Sequence, residues 1–171
     1  SFQLESVYDF KADIAVLLNI TPDHLDRYDH NLQYYVDAKM RIIRNQETED
    51  AFIYWIDDPL VTKEIEKLKP AATSYPFGEK KKDHAAAYTE NGKLYIQTKG
   101  NIFDMELELL ALEGIHNVYN SMASGIVAKL MDVSDEQLRA SLSDFKGVPH
   151  RLEKVASVRG VQYINDSKAT N

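Results

Sequence analysis

Two short apolar runs decide most of what this chain can become. Asp13 to Leu18 (Asp-Ile-Ala-Val-Leu-Leu) and Ala51 to Ile56 (Ala-Phe-Ile-Tyr-Trp-Ile) have the length of strands and do not alternate with polar residues. A strand with one wet face alternates, whereas a strand covered on both faces does not; parallel sheets held between helices supply such strands. A helical pattern from about Asn31 to Arg44 separates the two runs, and Pro59 to Leu68 follows the second as a surface helix with Lys63, Glu64, Glu66 and Lys67. This alternation predicts an α/β fold with a mostly parallel central sheet flanked by helices.

Thr21-Pro22-Asp23 reads as a helix start directly after the first strand, with Thr21 as the cap and Pro22 at the first helical position. Thr73 to Tyr75 is a short third strand, and residues 79–83 are a charged loop. A small inserted β-meander is expected over Ala85–Thr89, Lys93–Thr98 and Ile102–Leu107, with turns at Asn91-Gly92 and Gly100-Asn101. Helices follow from about His116 to Met131 and from Ser134 to Asp144, the second with Ser134 and Gln137 spaced as a capping box. Lys146-Gly-Val-Pro149 reads as a linker, and Glu153–Val158 with Gly160–Asn165 as two further strands.

The chain has 171 residues, 44% of them hydrophobic, which suffices for one domain with its own core. Its net charge is −7 and its basic residues are scattered, which disfavours nucleic acid as a partner. No apolar run reaches the roughly 18–20 residues that span a bilayer, so membrane insertion is not expected. The absence of cysteine excludes thiolate catalysis, disulfides and cysteine zinc sites. The first and last residues read as chain already under way, so the sequence is expected to be an internal fragment.

Lys39 stands out because it falls within an apolar stripe formed by Leu32, Tyr35, Val36, Ile42 and Ile43. Two readings stand. Its stem packs while the amine reaches water, or partial burial lowers its pKa and makes the amine reactive. A neutral amine adds carbon dioxide to give a carbamate, whose two oxygens suit magnesium as an ammonium does not. His24 follows a buried strand, where the sites of open α/β sheets lie, with Asp23 and Asp26 beside it; a plain surface helix start is the competing reading. Asn117 and Asn120 share a helical face and present donors and acceptors to a base, although Asn117 also suits a helix cap. Arg151 binds phosphate, stacks on a base or pairs with Glu153. Asp166-Ser-Lys168-Ala-Thr170-Asn follows a strand, as a phosphate- and hydroxyl-binding loop would, or is an ordinary polar loop.

Six segments in order resemble the Mur ligases, the amide-bond ligases of bacterial cell-wall synthesis. They are Ser1-Phe-Gln-Leu-Glu5, Leu18-Asn-Ile-Thr-Pro-Asp-His-Leu-Asp-Arg-Tyr28, Ala38-Lys39 with Arg41-Ile42, Gly114-Ile-His-Asn-Val-Tyr-Asn120, Pro149-His-Arg-Leu-Glu153 and Asn165-Asp-Ser-Lys-Ala-Thr-Asn171. The last is similar to the loop of the members that add D-glutamate to UDP-N-acetylmuramoyl-L-alanine. The resemblance implies a P-loop-type central ATPase domain lacking its first strands over residues 1–148, and the start of a C-terminal ligase domain over residues 149–171. It implies ATP and magnesium as cofactors, an acyl-phosphate intermediate, a cytoplasmic location and a monomeric parent.

Residue by residue, Lys39 matches the family's carbamylated lysine and His24 its histidine ligand of the second magnesium. Asn117 and Asn120 match residues around the adenine; Arg151 and Asp166 match nucleotide-binding residues. Lys168 and Thr170 match residues near the reacting phosphate and the incoming D-glutamate, and Gln3 one that faces the UDP-sugar. The glycine-rich phosphate loop has no counterpart in this chain. The fragment alone is therefore expected to be inactive, and its sheet to expose apolar edges that favour self-association. Another Mur or folylpolyglutamate-type ligase, and a non-catalytic nucleotide-binding module, are the alternative readings.

Overall fold

A computed structural model describes residues 2–112 and 114–168. Six strands form one sheet in chain order: β1 (Ile14–Leu17), β2 (Ala51–Trp55), β3 (Thr73–Lys80), β4 (Ala87–Glu90), β5 (Lys93–Thr98) and β6 (Asn101–Glu106). The first four strands run parallel and the last three form an antiparallel meander. The expected meander is hydrogen-bonded to β3 through β4, so one sheet carries both patterns.

The unalternating runs became the doubly covered strands. In β2, Phe52 and Tyr54 enter one core with Ala15, Leu17, Tyr35, Val36 and Val61. Ile53 between them enters the other core, with Phe77, Leu94, Ile96, Met122 and Ile126. Helices α2 (Leu32–Met40) and α3 (Pro59–Leu68) cover the first face, and α4 (Ile115–Leu130) covers the second. A short α1 (Phe2–Glu5) lies against α2, and α5 (Asp135–Asp144) begins with the expected Ser134–Gln137 capping box.

Several expectations needed correction. Thr21 caps nothing: residues 21–24 are irregular and a 3-10 turn starts only at Leu25, because His24 takes a left-handed φ of 50° that interrupts a helix. The helix expected to reach Arg44 ends at Met40 and tightens into a 3-10 turn over Arg41–Ile43. The third strand continues to Lys80 rather than ending at Tyr75, so the charged residues Glu79 and Lys80 belong to it.

Glu64 also turns inward. It is buried on α3, where Gln33 Nε2 (3.1 Å) and Lys67 Nζ (3.1 Å) satisfy its carboxylate. The two meander turns are two residues long, with positive φ at Asn91 and Gly92 and at Lys99 and Gly100, so the second turn sits one residue earlier than expected. Residues 153–165 form a separate two-stranded sheet of β7 (Glu153–Val158) and β8 (Val161–Asn165). Among the described residues, no helix is long and apolar enough to cross a membrane.

Candidate functional site

The segment bearing His24 follows the end of the parallel strand β1. After β1 the chain runs irregularly from Leu18 to His24. The amide of Ile20 donates to Asp58 Oδ2 at 2.7 Å, and the carbonyl of His24 accepts from Arg27 N at 3.0 Å. His24 itself is exposed, with Asp23 Oδ2 3.5 Å from its Nε2.

The segment then turns inward at Tyr28, which is buried. Its ring packs edge-on against Tyr35 of α2, with centroids 5.4 Å apart and planes at 64°. The Tyr35 ring in turn lies under Lys39 Nζ, 5.0 Å from the ring centroid. Lys39 is half-buried, so its stem packs as the apolar stripe requires while its charge rests on the negative face of an aromatic ring. His24 and Lys39, fifteen positions apart in sequence, are thereby carried by two elements locked through a pair of tyrosines.

Gln3 joins the same neighbourhood through a third element. It is exposed on α1, whose end is tied down by Arg41 two residues beyond Lys39. Arg41 Nε donates to Leu4 O (2.8 Å), and its Nη2 donates to Glu5 O (3.2 Å) and Val7 O (3.1 Å). Leu4 and Glu5 close α1 and Val7 lies just beyond it, where Val7 N also donates to Leu4 O at 3.3 Å. Arg27, from the His24 segment, stacks on Phe2 at 4.5 Å. The segments bearing Gln3, His24 and Lys39 therefore form one cluster.

The chemistry of this donor set fits a divalent cation only in part. Among the described residues, no group of three or more His, Asp or Glu side chains could hold a metal. One imidazole is available at His24, and Lys39 as an ammonium offers no lone pair. Conversion of Lys39 to a carbamate would add two anionic oxygens, and the remaining ligands would have to come from phosphate or from other chain.

A second group of residues sits where β2 and β3 end. Burial pushes the Asp57 carboxyl up, but Lys82 Nζ and the amide of Glu79 (2.8 Å) outweigh it and hold the group below its ordinary range. Tyr119 of α4 stacks near Trp55, with ring centroids 5.1 Å apart. Burial, with Glu79 and Asp57 nearby, pushes its hydroxyl above the ordinary tyrosine range. Asn117 and Asn120 flank Tyr119 on the first turns of α4, and Asn120 Nδ2 donates to Asn117 Oδ1 at 3.5 Å. Asn117 does not cap the helix: Gly114 holds that position, and Asn117 lies inside the first turn.

The backbone segments bearing Arg151, Asp166 and Lys168 run side by side at the open end of the β7–β8 hairpin. Asp166 Oδ1 accepts from Leu152 N at 3.1 Å, and Lys168 N donates to His150 O at 3.1 Å. The expected Arg151–Glu153 ion pair does not form among the described residues. Glu153 Oε2 instead accepts from His150 N (2.9 Å) and Asn165 Nδ2 (3.1 Å), which leaves the exposed Arg151 side chain outside that network. Thr170 lies outside the described residues.

Sequence reasoning passed over Tyr28, Tyr35, Arg41 and Asp58 as site residues. Only Asp58 carried a local signal, since an aspartate directly before Pro59 marks a helix start.

The model of the Mur ligase middle domain matches residues 1–128. Over its whole length the chain is 58% identical to a UDP-N-acetylmuramoylalanine--D-glutamate ligase of Bacteroides thetaiotaomicron. It is 54% identical over 173 aligned residues to the protein of the same name from Porphyromonas gingivalis. The chain spans 38% of the length of each of these relatives. Among solved structures, MurF from Acinetobacter baumannii superposes with a TM-score of 0.71 at 20% identity, covering 91% of this chain and 34% of that one. MurC from Thermotoga maritima superposes at 0.65 and 20% identity, covering 92% and 35%. These structural likenesses carry the fold alone.

Proposed function

The chain belongs to the Mur ligase middle-domain family, and from that premise we propose that it is part of an ATP-dependent ligase joining D-glutamate to UDP-N-acetylmuramoyl-L-alanine. The observation that carries this reading is the 58% identity over the full length of the chain to a ligase named for D-glutamate. In the proposed reaction, ATP phosphorylates the substrate carboxylate, the amine of D-glutamate attacks the resulting acyl phosphate, and phosphate leaves. Such chemistry depends on positioning and on stabilising charge as it develops.

The residues divide this work between them. Gln3 faces the UDP-sugar from the α1 segment that Arg41 anchors. His24 and Lys39, the latter as a carbamate, would hold one magnesium ion. Magnesium held there would supply positive charge against the transferring phosphoryl group. Asn117 and Asn120 hold the adenine edge from α4, and Arg151 and Asp166 hold the nucleotide from the hairpin, Asp166 at the ribose hydroxyls. Lys168 and Thr170 lie toward the phosphate and the incoming D-glutamate. Residues 1–148 then belong to the central ATP-binding domain and residues 149–171 open the C-terminal domain. The parent works as a monomer in the cytoplasm.

The test uses the full-length protein. ADP release is compared with D-glutamate, L-glutamate, L-lysine and meso-diaminopimelate as acceptors, and the D-glutamate reaction is repeated with Lys39→Ala. Release that depends on D-glutamate and is lost with Lys39→Ala is the expected result. An equal response to L-lysine, or full activity in Lys39→Ala, overturns the reading.

A further inference from the structure

Asp58 performs two tasks with one buried carboxylate. It is 5% exposed, and its Oδ1 accepts from the amides of Leu60 (2.8 Å) and Val61 (3.2 Å), capping α3. A cap asks no more of it than that. Its Oδ2 points the other way, across the end of the sheet, and accepts from Ile20 N at 2.7 Å, the tightest contact that the loop after β1 makes with another element through its backbone. Ile20 is 3% exposed, so water cannot replace this acceptor.

Three residues, Thr21 to Asp23, separate Ile20 from His24, and they form no regular structure. Beyond His24 the chain is fixed again by the 3-10 turn and by Tyr28. Between the exit of β1 and the Tyr28 anchor, the Ile20 side chain enters the core and Asp58 holds the Ile20 amide. We propose that Asp58 is a positioning residue for His24: through Ile20 it sets the path of the loop and so where the imidazole stands relative to Lys39. The role of His24 in this proposal rests on the ligase reading above; the tie between Asp58 and the loop does not.

Asp58→Asn and Asp58→Ser separate the two tasks. Asparagine caps helices as well as aspartate does, but it has one acceptor oxygen where two are needed, and its amide group would meet the Ile20 amide donor to donor. Serine caps locally and is too short to reach Ile20. In both variants, amide hydrogen exchange is expected to accelerate at least tenfold at Ile20 and across residues 19–24, while α3 keeps its protection. Unchanged exchange at Ile20 in Asp58→Ser, with α3 intact, would overturn the tie.

A second arm uses the full-length protein with His24→Ala, Asp58→Ser and the double variant. A positioning role predicts at least a tenfold loss of kcat in each single variant, an unchanged KM for D-glutamate, and a double variant no slower than His24→Ala alone. Losses that multiply in the double variant would show that Asp58 does not act through His24. Wild-type protein that fails to ligate D-glutamate would sink the functional reading, while the exchange experiment would still decide the structural one.

Discussion

The ring of Tyr28 stands edge-on to that of Tyr35, 5.4 Å between centroids, and this contact joins the segment bearing His24 to the helix bearing Lys39. Both rings are buried in the core that α2 and α3 build on the sheet. Edge-to-face pairs are favourable because the positive rim of one ring meets the negative face of the other. The opposite side of the exchange is visible at Lys39, whose ammonium uses the same property of Tyr35.

Truncation of this contact is expected to be costly. Tyr28→Ala removes a buried aromatic ring and should destabilise the protein by about 3 kcal/mol, read from urea unfolding. Tyr28→Phe keeps the ring and should lose much less. Equal losses from both would mean that the hydroxyl, not the ring, holds the segment.

At Gly125, α4 lies close against the sheet. A Cβ there would lie 2.2 Å from Ile96 Cδ1, a fully buried atom of β5. Alanine normally gains nearly 1 kcal/mol over glycine inside a helix, but overpacking a core costs about 1–3 kcal/mol, so Gly125→Ala should be net destabilising. Ile96→Val removes the obstructing methyl, and the double variant should be more stable than the two separate effects predict. Strict additivity in a thermal melt would count against a close α4–β5 approach.

Asp57 supplies a pH signature. Its carboxyl is held below the ordinary range, with burial outweighed by Lys82 and the Glu79 amide. The folded state therefore binds its proton less readily than the unfolded chain does. The stability it adds is complete above the unfolded carboxyl pKa of about 4 and is lost as pH falls through the lower folded value. Asp57→Asn should lower Tm at neutral pH and leave a shallower fall of Tm between about pH 5 and pH 3 than the wild type shows. Parallel curves would mean that Asp57 does not contribute to the acid dependence.

The 171-residue chain by itself should release no ADP in response to UDP-N-acetylmuramoyl-L-alanine and D-glutamate, because no glycine-rich phosphate loop is among its residues. Detectable substrate-dependent release by the purified chain would contradict this.

Much of the architecture was legible in the residues themselves. Unbroken apolar runs marked β1 and β2 as strands covered on both faces, since only such strands exclude polar side chains throughout. Ser134 with Gln137, and Asn91 with Gly92, specified a helix start and a turn through chemistry that spans only a few positions. The stripe on α2 likewise carried Lys39 toward the core edge, because helical periodicity is a local property.

Other features depended on partners distant in the chain. Thr21-Pro22-Asp23 has the local form of a helix start, yet the backbone at His24 turns left-handed and the helix never forms there. Nothing near residue 20 announces that its amide belongs to Asp58, thirty-eight positions away, and nothing in Arg41 announces the carbonyls of Leu4, Glu5 and Val7. Such bonds need a donor and an acceptor brought together by the sheet, and any polar residue of suitable length is a candidate until the strands are in register. The residue types and their order determined the family, the strand–helix alternation and the unusual place of Lys39. Only the tertiary structure decided that Tyr28, Asp58 and Arg41 hold the segments of Gln3, His24 and Lys39 together, because that decision rests on distances between elements, which periodicity does not encode.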